Sequence, residues 1–266
     1  MSVAQAQAPL RVALLGNPNC GKTALFNLMT GARQKVANYA GVTVERKEGM
    51  LQTAGGRRVR MLDLPGTYSL HAHSLDEAIT RDIVTGHHAA EAPPELLLCV
   101  TDATHLRLNL RLVLEARALG LPMALVLNMS DMAQQRGITI DREALSQALG
   151  VPVLASVGVR HDGAHELLQW LDSVAPVAPP PMALQLSAEP RQRVLDLHHE
   201  VQRIMDLAVR EAPAHRLLDD RIDAVVLHPV WGLVLLAVLL FLMFQAVFSW
   251  AEGPMEAIEG GTKLLA

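Results

Sequence analysis

Short apolar runs alternate with stretches of helical periodicity over residues 10–174. The runs are Arg11–Leu15, Met61–Leu64, Leu96–Thr101, Met123–Asn128 and Val151–Ala155. Strands buried on both faces of a parallel sheet are almost continuously apolar, and the helices between them complete βα units. The pattern therefore predicts an α/β domain with a mostly parallel sheet over this part of the chain.

The chain changes character after residue 174. The proline-rich stretch 175–182 cannot continue a helix and is predicted to be a stiff linker. Beyond it, apolar residues recur at spacings of three and four in Glu189–Glu211, which predicts an amphipathic helix, and a shorter helical run follows at His215–Val226. A small helical domain is therefore expected over residues 183–228.

Val230–Trp250 contains no ionisable residue. A helix of this length spans about 31 Å, close to the hydrocarbon thickness of a bilayer. Trp231 and Trp250 stand near its ends, where interfacial aromatic residues are common. A buried core helix is the alternative, but such a helix normally carries a polar stripe. We predict a membrane helix over residues 229–251, followed by a tail over 252–266.

Charge and composition add the orientation and the compartment. Two arginines precede the apolar segment and three glutamates follow it, which places the N-terminal side in the cytoplasm. Two cysteines make no disulfide framework, as expected in a reducing compartment. The net charge of −4 is spread along the chain, so no nucleic-acid footprint is seen. Residues 1–9 lack the features of a signal peptide and are expected to be disordered.

Candidate chemistry begins with residues 16–23, Gly-Asn-Pro-Asn-Cys-Gly-Lys-Thr. They form a complete G-x-x-x-x-G-K-[ST] phosphate-binding loop between an apolar run and a helical stretch. Its glycines let backbone amides curl around a phosphate at a helix N-terminus. Lys22 can reach the β- and γ-phosphates, and the Thr23 hydroxyl can ligate Mg²⁺. This context favours a nucleoside triphosphate site over a chance glycine turn.

The segment Asn128-Met129-Ser130-Asp131 follows the fourth apolar run. An Asn-x-x-Asp box at this place reads guanine in GTPases, because the aspartate accepts two hydrogen bonds that adenine cannot donate. Met129 occupies the position where lysine is usual. This changes the side chain that covers the base but not the carboxylate that recognises guanine. Ala155, Ser156 and Val157 match a weaker box whose backbone contacts the guanine O6 atom.

Two further segments fit the phosphate side of such a site. Asp63-Leu64-Pro65-Gly66 ends the second apolar run, so Asp63 is expected to hold Mg²⁺ through water and the Gly66 amide to sense the γ-phosphate. Thr43 is expected to close on Mg²⁺ when GTP is bound. A threonine beside valine is also ordinary strand composition, which is the alternative for this residue.

These motifs, in this order, resemble those of GTPases. Together with Asn38-Tyr39-x-Gly41-Val42-Thr43 and Asp63–Leu70, they make the chain similar to the ferrous iron transporter B (FeoB) family. Members are bacterial membrane proteins with an N-terminal GTPase domain, and the resemblance extends to His228–Gly232 before the apolar segment. Cys20 is a departure, because the family usually has serine there.

The resemblance implies a P-loop GTPase fold, then a helical region like the family's GDP-dissociation inhibitor and the first membrane helix of a truncated permease. It places the protein in the inner (cytoplasmic) membrane with the G domain, residues 10–174, in the cytoplasm. The implied partners are GTP and GDP, its own permease domain, a small FeoA-type or FeoC-type protein, the membrane and a second copy of the chain. Nucleic acid is not among them.

Slow hydrolysis is expected, because Thr67 follows the Asp-x-x-Gly box where many GTPases have glutamine. The resemblance implies that Asn19 helps to bind an activating K⁺, whereas a turn-forming role is the alternative. Candidate catalytic residues are Asn19, Lys22 and Thr43, and candidate Mg²⁺ ligands are Thr23, Thr43 and Asp63. Residues expected to bind the nucleotide are Gly16, Asn17, Pro18, Asn19, Cys20, Gly21, Lys22, Thr23, Ala24, Gly41, Val42, Thr43, Asp63, Leu64, Pro65, Gly66, Asn128, Met129, Asp131, Ala155, Ser156 and Val157.

Two other functions remain open at this point. An Era-like assembly GTPase with a membrane tail would carry a basic RNA-binding domain after the G domain, whereas residues 189–223 are not basic. A nucleotide-dependent scaffold that hydrolyses too slowly to matter would differ in its turnover with and without K⁺. The histidine pairs, His71 with His73 and His87 with His88, are interpreted as exposed residues, because a metal site needs three or four converging ligands.

Overall fold

The computed structural model describes residues 8–31, 34–39, 42, 44–72, 74–160, 162–175, 190–211 and 218–250. Residues 1–7 of the predicted disordered N-terminus, most of the predicted linker and the predicted tail lie outside these ranges. Contacts group the chain into two compact units, Met1–Pro213 and Ala214–Ala266.

Nine strands are present in the described ranges. They are β1 Leu10–Gly16, β2 Gln34–Asn38, β3 Glu45–Gln52, β4 Arg58–Asp63, β5 Leu96–Asp102, β6 Met123–Asn128, β7 Ile138–Ile140, β8 Val153–Ala155 and β9 Val209–Glu211. Seven of them form one sheet in the order β2-β3-β4-β1-β5-β6-β8. The pairs from β4 to β8 are parallel, whereas β2 and β3 are antiparallel additions at one edge. The predicted mostly parallel α/β sheet is confirmed.

The same ranges contain nine α-helices. They are α1 Lys22–Thr30, α2 Leu75–Val84, α3 Leu106–Ala118, α4 Ser130–Gln135, α5 Arg142–Leu149, α6 His165–Ser173, α7 Pro190–Ala208, α8 Leu218–Val226 and α9 Trp231–Gln245. Local sequence explains several ends: Asp141 caps α5 by accepting from the amides of Glu143 and Ala144, and Gly150 ends that helix at φ 65°.

Alternate residues of the central strands face two apolar clusters. Ala13 and Leu15 of β1 contribute to one cluster, together with α2, α3, α5 and α7. Val12 and Leu14 contribute to the other, together with α1 and α6. Burial on both faces explains why these strands read as continuous apolar runs.

Helix α7 packs with the sheet rather than with a separate helical domain. Its residues Leu197, Val201, Ile204 and Ala208 are buried in the first cluster, at the spacings that predicted an amphipathic helix. The helix belongs to the same compact unit as the sheet, Met1–Pro213. Strand β9, which follows α7 directly, pairs antiparallel with β7 in a small sheet that the sequence did not predict.

The segment containing Thr43 lies between two strands. The first of these strands, β2, pairs with β3 at the sheet edge. Its residues Gln34–Asn38 are mostly exposed and carry no apolar run, so no strand was predicted there.

Trp231–Phe248 is the one helix, within the ranges that the structure describes, that is long and apolar enough to cross a membrane. None of its residues is buried, unlike those of a core helix. The α-helix ends at Gln245 and continues as a π-helical turn over Ala246–Trp250.

Candidate nucleotide-binding site

The phosphate-binding loop connects β1 to α1 and is packed tightly against the neighbouring strands. A Cβ atom at Gly16 would collide with the backbone oxygen of Val100. Gly21 has φ 78°, and a Cβ there would collide with the side-chain amide of Asn128. Glycine is therefore required at both positions, for close approach at the first and also for backbone conformation at the second.

Asn19 also lies in the left-handed region, at φ 63°. Asparagine tolerates this conformation better than most residues, so the turn-forming role considered from the sequence is present in the structure. Its side chain is exposed. Binding of K⁺ by Asn19 stays a prediction.

Lys22, Thr23 and Asp63 form a compact polar cluster at the start of α1. The Lys22 ammonium donates a hydrogen bond to Asp63 Oδ1, and only 7% of this lysine is exposed. The Thr23 hydroxyl donates to Asp63 Oδ2 at 2.8 Å. A carboxylate and a hydroxyl are oxygen donors of the kind that Mg²⁺ prefers, so the pair fits this ion. Because the ammonium has three N–H donors, Lys22 can contact a phosphate as well as Asp63.

Asn128 joins the phosphate-binding loop to the loop after β8. Its side-chain nitrogen donates to the backbone oxygen of Cys20 at 3.0 Å, and its Oδ1 accepts from the amide of Gly158 at 2.9 Å. The asparagine is buried. The first residue of the predicted guanine box thus holds two loops together.

The predicted guanine-reading carboxylate lies at the start of α4. Met129, at φ 56°, turns the chain into this helix. Asp131 is half-buried, and its Oδ1 accepts from the amide of Met132 at 2.9 Å. Recognition of guanine by Asp131 stays a prediction.

The three amides of the weaker guanine box already have acceptors within the protein. Ser156 donates to Leu127 O at 2.8 Å, and Val157 donates to the backbone oxygen of Gly163 at 3.0 Å. The amide of Ala155 donates to Glu166 at 3.3 Å. A contact from these amides to guanine O6 therefore needs one of these bonds to open, and the contact stays a prediction.

Gly66 and Thr67 lie against the phosphate-binding loop. A Cβ at Gly66 would lie 3.2 Å from backbone atoms of Pro18. The Thr67 amide donates to Gly16 O at 3.2 Å, and its hydroxyl donates to Ser69 O at 2.6 Å. Thr67 is buried. The Thr67 hydroxyl thus forms a hydrogen bond within the protein, as expected for a residue that does not orient the attacking water.

Glu115 of α3 holds the segment that follows Gly66. Its buried carboxylate accepts from the Ser69 hydroxyl at 2.8 Å and from the Leu70 amide at 2.7 Å. Arg111, one turn earlier on α3, donates to its other oxygen at 3.1 Å. Glu115 was not predicted to be functional from the sequence, where it appears only as a glutamate among the apolar positions of a helix.

Other predicted residues are placed less completely. Gly41 and Thr43 lie outside the described residues. Val42 donates through its amide to Tyr39 O at 3.2 Å. Asn17 is buried, and neither polar atom of its side chain has a hydrogen-bond partner among the residues that the structure describes.

Both cysteines are buried and reduced. Burial raises the pKa of the Cys20 thiol to about 11 and that of Cys99 to about 12. A thiol with such a pKa stays protonated at neutral pH and is a poor nucleophile. Cys20 therefore has a packing role beneath the phosphate-binding loop.

A cavity of about 440 Å³ lies on the phosphate side of the site. Lys22, Thr23, Asp63 and Gly66 line it on one side, and residues from the start of β3 line it on another. A second cavity, of about 530 Å³, lies between α3 and α7 and has mainly apolar walls. The end of the phosphate-binding loop and the segment Asp63–Gly66 thus meet at the first cavity.

Comparison with known proteins agrees with this geometry. A family model described as Ferrous iron transport protein B matches residues 10–171. The chain is 33% identical to an Fe(2+) transport protein A/Fe(2+) transporter FeoB fusion protein of Porphyromonas gingivalis, over 95% of this chain and 38% of the relative. It is 45% identical to the Fe(2+) transporter FeoB of Escherichia coli K12, over 61% of this chain and 21% of the relative.

Solved structures give the same result. The cytosolic domain of L. pneumophila FeoB matches with a TM-score of 0.65 and 30% identity, over 76% of this chain and 100% of that one. The cytosolic domain of T. maritima FeoB in its GMPPNP form matches with a TM-score of 0.66 and 26% identity, over the same shares. The chain spans well under half the length of the two transporters that it matches.

Proposed function

The chain belongs to the ferrous iron transport protein B family, and we propose that its G domain binds and slowly hydrolyses GTP as the regulatory part of a ferrous iron transporter. The observation that carries the proposal is the cluster of Lys22, Thr23 and Asp63 beside a phosphate-binding loop that Asn128 braces. The matched relatives are ferrous iron transport proteins, so the assembly-GTPase alternative is not favoured.

The chain's own residues supply charge and position for phosphoryl transfer. Lys22 and the amides of the phosphate-binding loop offset negative charge on the β- and γ-phosphates. Thr23, Thr43 and Asp63 would hold Mg²⁺, which neutralises charge on the phosphates when it is bound. Thr67 does not orient the attacking water, because its hydroxyl donates to Ser69. Slow turnover follows, and Asn19 with K⁺ is the proposed compensation.

The remaining parts are proposed from the family. Residues 183–228 act as the GDP-dissociation-inhibitor-like region, and the apolar helix that begins at Trp231 enters the inner membrane, with the G domain on its cytoplasmic side. A permease domain is a proposed partner of the G domain. A small FeoA-type protein is a proposed partner, and the fusion of the two proteins in P. gingivalis supports it. A FeoC-type protein and a second copy of the chain are further proposed partners.

Competition for a bound fluorescent GDP tests the proposal. GTP and GDP should displace it, whereas ATP should be at least about 100-fold weaker, because adenine leaves the Asp131 carboxylate without its two donors. Lys22→Ala should weaken GTP strongly, and Lys35→Ala on the exposed strand β2 is the matched control. Equal displacement by ATP and GTP would contradict the proposal.

A further inference from the structure

We propose that Lys47, which belongs to none of the nucleotide-binding motifs, is a second cation for the phosphates and favours GTP over GDP. Lys47 lies in β3 and lines the cavity on the phosphate side of the site. The inference rests on the proposed function, because it requires a guanine nucleotide in that cavity. It adds a residue that determines which nucleotide is preferred.

The sheet places Lys47 directly beside the metal-side carboxylate. Lys47 of β3 is the register partner of Asp63 in β4. Opposed residues of antiparallel strands have Cβ atoms about 4.5–5.5 Å apart on the same face of the sheet. Asp63 in turn contacts both Lys22 and Thr23. The stem of Lys47 therefore begins next to the groups expected to meet the phosphates.

The present partner of Lys47 can be exchanged. Its ammonium lies 3.1 Å from Glu45 Oε2, in an ion pair whose side chains are 29% and 63% exposed, respectively. Such exposed pairs contribute little free energy, because water screens them. A triphosphate in the cavity carries more charge than one carboxylate, so the ammonium gains by turning from Glu45 to the phosphate.

The charge of the cavity needs this second cation. Three carboxylates line it (those of Glu45, Asp63 and Asp76), and Lys22 and Lys47 are the lysines on its walls. With both lysines the walls carry a formal charge of −1, whereas without Lys47 they would carry −2 and would oppose the γ-phosphate more strongly. The γ-phosphate adds negative charge that GDP lacks, so the attraction to Lys47 is larger for GTP.

Binding of GDP and of a non-hydrolysable GTP analogue to four proteins tests this inference. Lys47→Gln should lower the ratio of GTP-analogue affinity to GDP affinity by about three- to tenfold, since the contact is to a charged group but partly exposed. Lys47→Arg, which keeps the charge, should retain most of the ratio. Lys35→Gln, an exposed lysine on β2, is the matched control and should match the unmodified protein.

Glu45→Gln separates a phosphate contact from a merely structural ion pair. If Lys47 acts on the phosphate, this variant keeps or raises the ratio, because the ammonium is released from Glu45. A loss equal to that of Lys47→Gln would overturn the inference. So would an unchanged ratio in Lys47→Gln when the unmodified protein binds both nucleotides. Failure of the unmodified protein to bind guanine nucleotides would instead contradict the proposed function.

Discussion

On the base side of the candidate site, Asn128 joins Cys20 to Gly158 through two hydrogen bonds of a buried side chain. On the phosphate side, Asp63 accepts hydrogen bonds from Lys22 and Thr23, which are themselves candidate ligands of the phosphates and Mg²⁺. The contacts on the base side use protein groups alone, whereas those on the phosphate side involve groups that a phosphate can also engage. Preformed contacts favour affinity for any guanine nucleotide, and exchangeable contacts allow a response to the γ-phosphate.

The two sides also differ in what holds the neighbouring segments. Gly158 is tied to a buried asparagine, so its loop cannot move without breaking a buried hydrogen bond. The segment after Gly66 is held by Glu115 through the Ser69 hydroxyl and the Leu70 amide, and the Thr67 amide donates to Gly16 O at 3.2 Å. This segment therefore has hydrogen bonds both to α3 and to the phosphate-binding loop.

Asp131→Asn should have the largest effect, and it tests the base side. The substitution removes the carboxylate that accepts two hydrogen bonds from guanine. The affinities for GTP and GDP should therefore fall together by about 100-fold or more. The affinity for a xanthosine nucleotide should rise, since the new side-chain NH₂ group donates to the carbonyl oxygen that xanthine carries in place of the guanine amino group. Nucleotide titration measures both. Unchanged GTP affinity would remove Asp131 from the guanine site.

Thr43→Ala should affect the phosphate side alone. Loss of the proposed Mg²⁺ ligand should lower GTP turnover by about tenfold or more, as expected for one lost transition-state contact. GDP affinity should stay close to that of the unmodified protein, because this hydroxyl is proposed to close only on the triphosphate state. Phosphate release and GDP titration give the two readouts. Normal hydrolysis would assign the role to another residue near Val42.

Replacement of Na⁺ by K⁺ should raise hydrolysis severalfold, and Asn19→Ala should abolish the difference. A cation beside the β- and γ-phosphates neutralises charge that develops in the transition state. If Asn19 serves only its left-handed turn, the variant should instead lower affinity and turnover equally in either salt. Equal hydrolysis rates in K⁺ and Na⁺ for the unmodified protein would contradict the proposal that K⁺ activates hydrolysis.

The smallest expected effect concerns packing beneath the preformed loop. Burial raises the pKa of Cys20 to about 11, above its value in an unfolded chain. The unfolded state therefore loses this proton first as pH rises, and the free energy of unfolding should fall between about pH 9 and 11, by about 3 kcal/mol at most. In Cys20→Ser, the free energy of unfolding should fall less over this pH range. Urea unfolding at several pH values measures it. An identical pH profile for both proteins would contradict the assignment.

Much of the fold could be predicted from the sequence because the central strands are buried on both faces. Their apolar runs identify them without knowledge of their partners, as β5 and β6 illustrate. Strand β2 is exposed and polar, and β7 and β9 are three residues each, so no hydrophobic pattern predicts these strands. The packing of α7 on the G domain was also missed, since an amphipathic face does not tell which surface will cover it.

The candidate site shows the same limit. Motifs identified Lys22, Asp63 and Asn128, because their chemistry is tied to fixed spacings. The roles of Glu115 and Lys47 depend on which residues the fold brings opposite them, in α3 and across β3 and β4. Such neighbours are set by tertiary structure, so a single sequence does not reveal them.

Hydrogen exchange of backbone amides tests the difference between the two sides most directly. Exchange would be compared for the unmodified protein alone, with GDP and with a non-hydrolysable GTP analogue. The account predicts that the Gly158 amide is protected in all three states, whereas amides from Leu64 to Leu70 change only with the analogue. Equal changes on both sides, or a change after Gly66 with GDP alone, would contradict it.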